Sequence, residues 1–195
     1  MAEVELPNPH ELEEIKEKAF TRKVAMVTAV FAVALAIASL GGTYNMKEML
    51  MAQQQASNQW SYYQAKVIRE HLYRSQMMLL ETLLLDRGAS MKAEAKGQVE
   101  GRIKTMKEEE KRYNLEKKEI EQEAKKLEKK RDRHRAKDPF FEFGEVLLQI
   151  AIVLSTIAIL THSSKIFFFA VGSAVLGGLF ALNGFLMILP VPLFH

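Results

Sequence analysis

Cysteine is absent, which excludes a disulfide framework, thiolate catalysis and cysteine-based zinc sites. Proline is scarce: of five, none lies between residues 45 and 138, so nothing in that stretch forbids long helices. Charge is missing from two regions. No Asp, Glu, Lys or Arg occurs from Val24 to Met46, and after Glu145 the one such residue is Lys165. Nearly all the ionic side chains lie before Val24 or between Lys47 and Glu145. That is the layout of a membrane protein carrying one large polar insert. Chemistry-bearing motifs are missing too: there is no glycine-rich phosphate loop, HExxH helix or nucleophile elbow. His10, His71, His134, His162 and His195 are scattered, no two at metal-ligand spacing. The net charge of +3 is slight, and Glu alternates with Lys through the insert, unlike the concentrated basic face of a nucleic-acid binder. The expectation is therefore no catalytic, cofactor-binding or metal-ligating residue, no cofactor and no nucleic-acid partner.

The run "VAMVTAVFAVALAIASLGG", residues 24–42, reaches roughly 28 Å as a helix, enough to cross a hydrocarbon core. It is expected to persist as an anchor, because the stretch ahead of it is long and acidic, unlike the short basic start of a signal peptide. Upstream, Asn8 is placed to cap a helix, Pro9 to open it and Glu11 to reach back. Leu12, Ile15, Ala19 and Phe20 give that part an apolar stripe. The second run, "DPFFEFGEVLLQIAIVLSTIAIL", offers Asp138 as N-cap, Pro139 as first helical residue and Phe140, Phe141 and Phe143 at the interface. A short link, "THSSK", leads to "IFFFAVGSAVLGGLFALNGFLMIL", so these two spans must double back on each other. Pro190 and Pro192 are expected to end the last helix. Small residues four apart would admit close backbone contact: Ser173, Gly177 and Ala181; Ala170, Ala174 and Gly178; Thr28, Ala32 and Ala36. Gln149 and Asn183 are amides in apolar runs that need partners in a neighbouring helix.

Between the first two spans, strong helix formers dominate. The best break is "DRGAS", residues 86–90, where Gly88 can end one helix and Ser90 can cap another. The arms on either side would extend roughly 63 and 70 Å, bringing the chain back to the bilayer. On the returning arm, alternate steps of four and three from Val99 meet Ile103, Met106, Glu110, Tyr113, Lys117, Ile120, Ala124, Leu127, Arg131 and His134, a coiled-coil seam. Its charged members are expected to reach outward along their stems. On the outgoing arm Met46, Met49, Gln53, Ala56, Trp60, Tyr63 and Val67 keep the same step, after which the stripe drifts to Ile68, Leu72, Leu79 and Leu83.

Around the single Trp the chain concentrates amides and aromatics in "QQQASNQWSYYQAK". Trp60 would stand roughly 27 Å beyond Gly42 along a continuous helix, too far for an interfacial aromatic belt. Rings with hydrogen-bonding tips suit helix contacts. Gln59, Trp60, Tyr62, Tyr63, Gln64, Val67, Ile103, Met106, Tyr113, Ile120 and Leu127 are thus expected to form a helix-pairing interface, with Trp60 and Tyr63 helping to hold the assembly; a ligand pocket is the alternative. Acids near Lys at helical spacing, and Glu70 beside His71, are expected to be surface pairs.

The expected fold class is all-α: three transmembrane helices with a long antiparallel, coiled-coil-like helical hairpin inserted between the first and second spans. The parts are an amphipathic helix to residue 23, spans at 24–44, 138–161 and 166–189, a hairpin at 45–137, a turn at 162–165 and a tail at 190–195. The segment "ASNQWSYYQAK", just after an N-terminal span and before a Lys/Glu-rich helix, resembles the signature of a bacterial membrane family known only as domain of unknown function four-three-three-seven. Ala56, Gln59, Trp60, Tyr62, Tyr63, Gln64, Ala65 and Lys66 carry the likeness, which extends over nearly the whole chain. Members commonly place several Arg between the last two spans, where this chain has the less basic "THSSK". The resemblance implies no catalytic residue.

The functional expectation is a non-enzymatic inner-membrane scaffold or accessory subunit that forms homo-oligomers or joins other membrane subunits. An oligomeric channel or stator-like element is one alternative, although the link between the last spans lacks the carboxylates of a cation filter. A membrane subunit of an enzyme complex is another. Lys129, Lys130, Arg131 and Arg133, just ahead of the second span, are placed to meet anionic lipid headgroups; the alternative there is a solvated helix end. Basic residues near the span ends conflict over orientation. Lys16, Lys18, Arg22 and Lys23 favour a cytoplasmic N-terminus, and the run before the second span favours the reverse. Long insertions translocate with less regard to charge, so the hairpin is expected in the periplasm. A reporter fused at Gly88 should then be active only as a periplasmic reporter; activity of a cytoplasmic one there reverses the topology.

Overall fold

The computed structural model describes residues 9–188, which form four helices: α1 Pro9–Arg87, α2 Ala93–Arg135, α3 Asp138–Thr161 and α4 Ser164–Leu186. Asn8, Pro190 and Pro192 lie outside the described residues. Three helical stretches, within His10–Arg87, Ala93–Thr161 and Ser164–Leu186, are long and apolar enough to cross a membrane. The chain divides into two compact units. Among the described residues, one joins 9–48 with 133–188; the other is Met49–Asp132.

In the first unit the core is built from small residues and a few large ones. Phe31 and Ala38 of α1, Leu148 and Ala151 of α3, and Ala174 and Ala181 of α4 are buried together. Gly144 and Gly177 let α3 and α4 touch backbone to backbone: a Cβ on Gly177 would lie 2.9 Å from the Gly144 carbonyl oxygen, and one on Gly144 would lie 3.0 Å from that of Gly177. Beside them the Ser173 hydroxyl donates to the Leu147 carbonyl at 2.7 Å, a polar tie between two apolar helices. Two adjacent glycines inside α1 weaken a helix by about 1 kcal/mol each. Their return is space for rings. A Cβ on Gly41 would fall 2.4 Å from Phe185 and 2.7 Å from Phe141, whose rings meet edge to face at 4.9 Å. Near Glu48, the buried Asn45 amide donates to the His134 carbonyl at 2.9 Å, and its oxygen sits 2.9 Å from His134 Nδ1.

The helix ends depart from expectation in four places. Asp138 is the first helical residue of α3, and Lys137 holds the cap position without a side-chain cap bond. Because Lys137 keeps right-handed helical angles (φ −83°, ψ −26°), α3 follows α2 after a turn of only two residues, Ala136 and Lys137. Between α3 and α4 the link is His162 and Ser163 alone. His162 takes the left-handed conformation at φ 49°, and both its N–H and that of Ser163 reach the Ala158 carbonyl, a compact C-terminal cap. α4 ends at Leu186, ahead of Pro190, through left-handed Met187, whose N–H donates to Asn183 at 2.7 Å. Lastly, Ser90 does not cap α2 forwards: its hydroxyl and its N–H both donate back to the Arg87 carbonyl. Gly88 serves by size, since its φ is not positive and a Cβ there would sit 2.3 Å from the Leu84 carbonyl oxygen.

The small-residue stripes are used selectively. Ala170, Ala174, Gly177 and Ala181 are buried, whereas Ala32 and Ala36 are exposed. α1 instead buries Val24, Phe31 and Ala38, because helix period and the bulk of Phe31 set the inward face. Replacing Gly177 by Ala should destabilise the detergent-solubilised chain by about 1–3 kcal/mol through overpacking. Gly172→Ala, where nothing lies within 4 Å, should be neutral; equal thermal shifts would contradict the backbone contact.

Candidate functional site

The richest side-chain arrangement lies in Met49–Asp132, where the described part of α1 meets α2. As the position on α1 advances from Gln53 to Arg74, its hydrogen-bond partner on α2 retreats from Arg131 to Glu110. Between these ends the contacts follow the same trend, with one step forward where Lys66 pairs with Glu116 and Glu70 with Lys117. Trp60 Nε1 donates to Glu128 at 2.9 Å, and its ring meets Tyr63 edge to face at 5.5 Å. Lys66 Nζ pairs with Glu116 at 2.5 Å. Tyr73 stacks on the buried Tyr113 at 5.7 Å. Arg74 closes on Glu110 at 2.6 Å.

At the middle stands Glu70, with 3% of its side chain exposed. One carboxylate oxygen accepts from Lys117 Nζ at 2.5 Å; the other accepts from Asn114 and Arg74, both at 3.3 Å. A buried carboxylate so surrounded stays ionised, and the Lys117 hydrogen bond chiefly holds its pKa below the ordinary range. Lys66 is shifted oppositely: the hydrogen bond to Glu116 raises it. Its ammonium also lies 5.0 Å from the Tyr113 ring centre and 5.2 Å from that of Tyr62, a cation–π arrangement. Charges on the outgoing helix read plus, minus, plus at Lys66, Glu70 and Arg74. Those opposite read minus, plus, minus at Glu116, Lys117 and Glu110.

Each of the stepped α2 positions from Val99 to His134 is buried or half-buried. Of the residues expected to pair the helices, Gln59, Trp60, Tyr63, Val67, Ile103, Met106, Ile120 and Leu127 are half-buried and Tyr113 is buried. Tyr62 and Gln64 are exposed. Of the expected drift on α1 to Ile68, Leu72, Leu79 and Leu83, Leu83 alone is half-buried; Ile68, Leu72 and Leu79 are 68%, 54% and 72% exposed. The covered line instead keeps its step through Ala52, Ala56, Gln59, Tyr63, Lys66, Glu70, Tyr73, Met77, Leu80 and Leu84. A search for apolar residues passes over Lys66 and Glu70, and so leaves the true face. Nor do the charged members of the α2 seam all turn outward. Glu110, Lys117 and Arg131 each find a partner on α1, and Glu70 is no surface pair with His71. The missed signal was sign complementarity, visible once 66 is set against 116 and 74 against 110.

The other expected residues are more dispersed. Ser173, Gly177 and Ala181 face α3, Asn183 is half-buried and Gln149 is exposed. Lys129, Lys130 and Arg133 are exposed, while Arg131 is engaged by Gln53 and Asp132. Among the described residues no group of three or more His, Asp or Glu is placed to hold a metal ion.

The class defined is an all-helical chain with three helices long and apolar enough to span a membrane and a charge-matched helix pair. The chain belongs to the family described as Domain of unknown function (DUF4337), which matches residues 20–187. No curated protein and no solved structure matches it.

Removing the Glu70 carboxylate should lower stability by about 2 kcal/mol. That is less than the ~3–5 kcal/mol of a fully buried pair, because Lys117 keeps 20% of its side chain exposed. The exchanged pair, Glu70→Lys with Lys117→Glu, should recover part of the loss. The pH dependence has two limbs. Glu70, with a depressed pKa, stabilises above the ordinary carboxylate range and loses its effect as pH falls through the depressed value. Lys66, with a raised pKa, stabilises below the ordinary lysine range and loses its effect as pH rises through the raised value. Denaturant titration of the full chain, followed by fluorescence of its single Trp, reads both; a flat acid limb would contradict the role of Glu70.

Proposed function

We propose that the chain is a non-enzymatic scaffold or accessory subunit of the bacterial inner membrane. It spans three times, and an antiparallel helical hairpin separates the first and second spans. The retreat of partner positions from Arg131 to Glu110 supports the hairpin. The N-terminus is cytoplasmic and the hairpin periplasmic, with Lys129, Lys130, Arg131 and Arg133 forming a basic stretch that would meet anionic headgroups.

One observation carries the assembly reading. Gln149 sits near the middle of α3, exposed beside exposed Val146, Ile150 and Val153. In hydrocarbon an amide so placed has no water to bond, and a hydrogen bond to a neighbouring helix is worth about 1–2 kcal/mol. The reading is that another chain covers it. Trp60 and Tyr63, by contrast, are used inside the chain, so they serve the hairpin rather than contacts between copies.

Gln149→Leu should shift the assembly towards smaller species in blue-native electrophoresis. Mass spectrometry of the wild-type band separates the forms of the proposal: this chain alone indicates a scaffold, additional subunits an accessory role. A monomeric wild type, or an assembly indifferent to Gln149→Leu, overturns the reading of that amide.

A further inference from the structure

On the face of α1 turned away from α2, a second line of residues repeats in steps of three and four from Met51 to Thr82, and every position on it is exposed. Its central members are Ser61, Ala65, Ile68, Leu72, Ser75 and Leu79. None of the line is charged, although it belongs to a unit rich in Lys and Glu. The hydroxyls do little to make it polar: Ser61 and Thr82 donate to carbonyls of their own helix, at Ser57 and Met78. The charges of this stretch are spent elsewhere. Lys66, Glu70 and Arg74 pair with α2, and Arg69 and Glu81 lie off the line.

A solvated helix places charge on its free face, so an uncharged, exposed heptad line marks a surface that something covers. A second helix of the same period, wound in a left-handed supercoil, fits such a line. We propose that the occupant is the same line on a second copy of this chain, with the two α1 helices parallel and in register. Two observations favour that partner. In register, Ile68, Leu72 and Leu79 each meet their own copy, and Ala65 allows close approach. Asn58 falls at a position that heptad spacing makes equivalent to Ala65, Leu72 and Leu79. There an amide bonds to its own copy and fixes parallel register, the best-attested use of a buried Asn. Charge does not oppose the pairing: of the flanking positions a parallel pair brings together, Gln64 meets Arg69 of the other copy and His71 meets Gln76, with no like charges opposed.

The inference rests on the oligomeric reading above and names the surface it uses. The absence of cysteine makes the test direct. Single cysteines are introduced into the full chain in native membranes at Ala65, Ile68 and Leu72, and at Leu115, exposed on α2, as control. All are then treated with a short thiol-to-thiol cross-linker. Covalent dimers of twice the chain mass should form at least fivefold more at the three α1 positions than at 115. Ile68→Glu with Leu72→Glu should dissociate the dimer while leaving the Trp60 unfolding curve in place, since both side chains are exposed. An oligomer whose α1 cysteines link no better than 115, or link to a different chain, overturns this face and leaves the scaffold reading standing. A chain that is monomeric throughout overturns both.

Discussion

Opposite charges facing each other across α1 and α2 are the constraint on which the Met49–Asp132 unit depends. Hydrophobic contact between two helices is nearly indifferent to sliding by one heptad, because an apolar stripe repeats. An alternating sequence of signs is not. Sliding α2 by one heptad would put Glu110 or Ala124 in the place of Lys117 and leave the buried Glu70 carboxylate without its closest cation, a costly state. The contribution of these pairs to net stability is modest, since ions lose hydration when covered. Their effect on register is large. Tyr113, stacked on Tyr73 and lying under Lys66, gives that polar stretch a packed centre.

The unit built from the two chain ends obeys a different rule. Between apolar helices in lipid, the hydrophobic effect supplies no preference for one contact over another, and close packing decides. Hence Gly144 against Gly177, rings seated on Gly41 and Gly184, and the Ser173 hydroxyl on a neighbouring carbonyl. The buried Ser155 hydroxyl is the one buried side-chain polar atom without a partner among the described residues. Register here is set by shape, and α1 contributes its Phe31 and Ala38 face rather than the line of Ala32 and Ala36.

How far the fold was legible follows from these two rules. Long uncharged runs identify the apolar helices directly, and every α2 position marked by steps of four and three is covered, because Tyr113, Ile120, Ala124 and Leu127 keep that line predominantly apolar; the half-buried Asn114, Glu116 and Glu128 lie beside it. On α1 the same method failed after Val67, where the covered line passes through Lys66 and Glu70 while Ile68 and Leu72 lie outside. Reading hydrophobicity alone exchanged the inner face for the outer. Helix ends were the other weak point: His162 and Met187 enter left-handed conformations that glycine usually signals, and Lys137 continues a helical turn where Asp138 looked like the cap. Residue type predicted chemistry there less well than the packing of neighbouring turns.

The central claim is that α1 and α2 are held in one register by alternating charges. Pulsed electron–electron distance measurement tests it, with spin labels on cysteines placed at the exposed Gln64 and Lys118 and unlabelled chain added in excess. The account predicts one narrow distribution at about 15–25 Å, as for packed helices roughly 10 Å apart carrying labels, which broadens when Glu70 and Glu116 are both changed to Gln. A distribution that is long, or broad before any charge is removed, contradicts it.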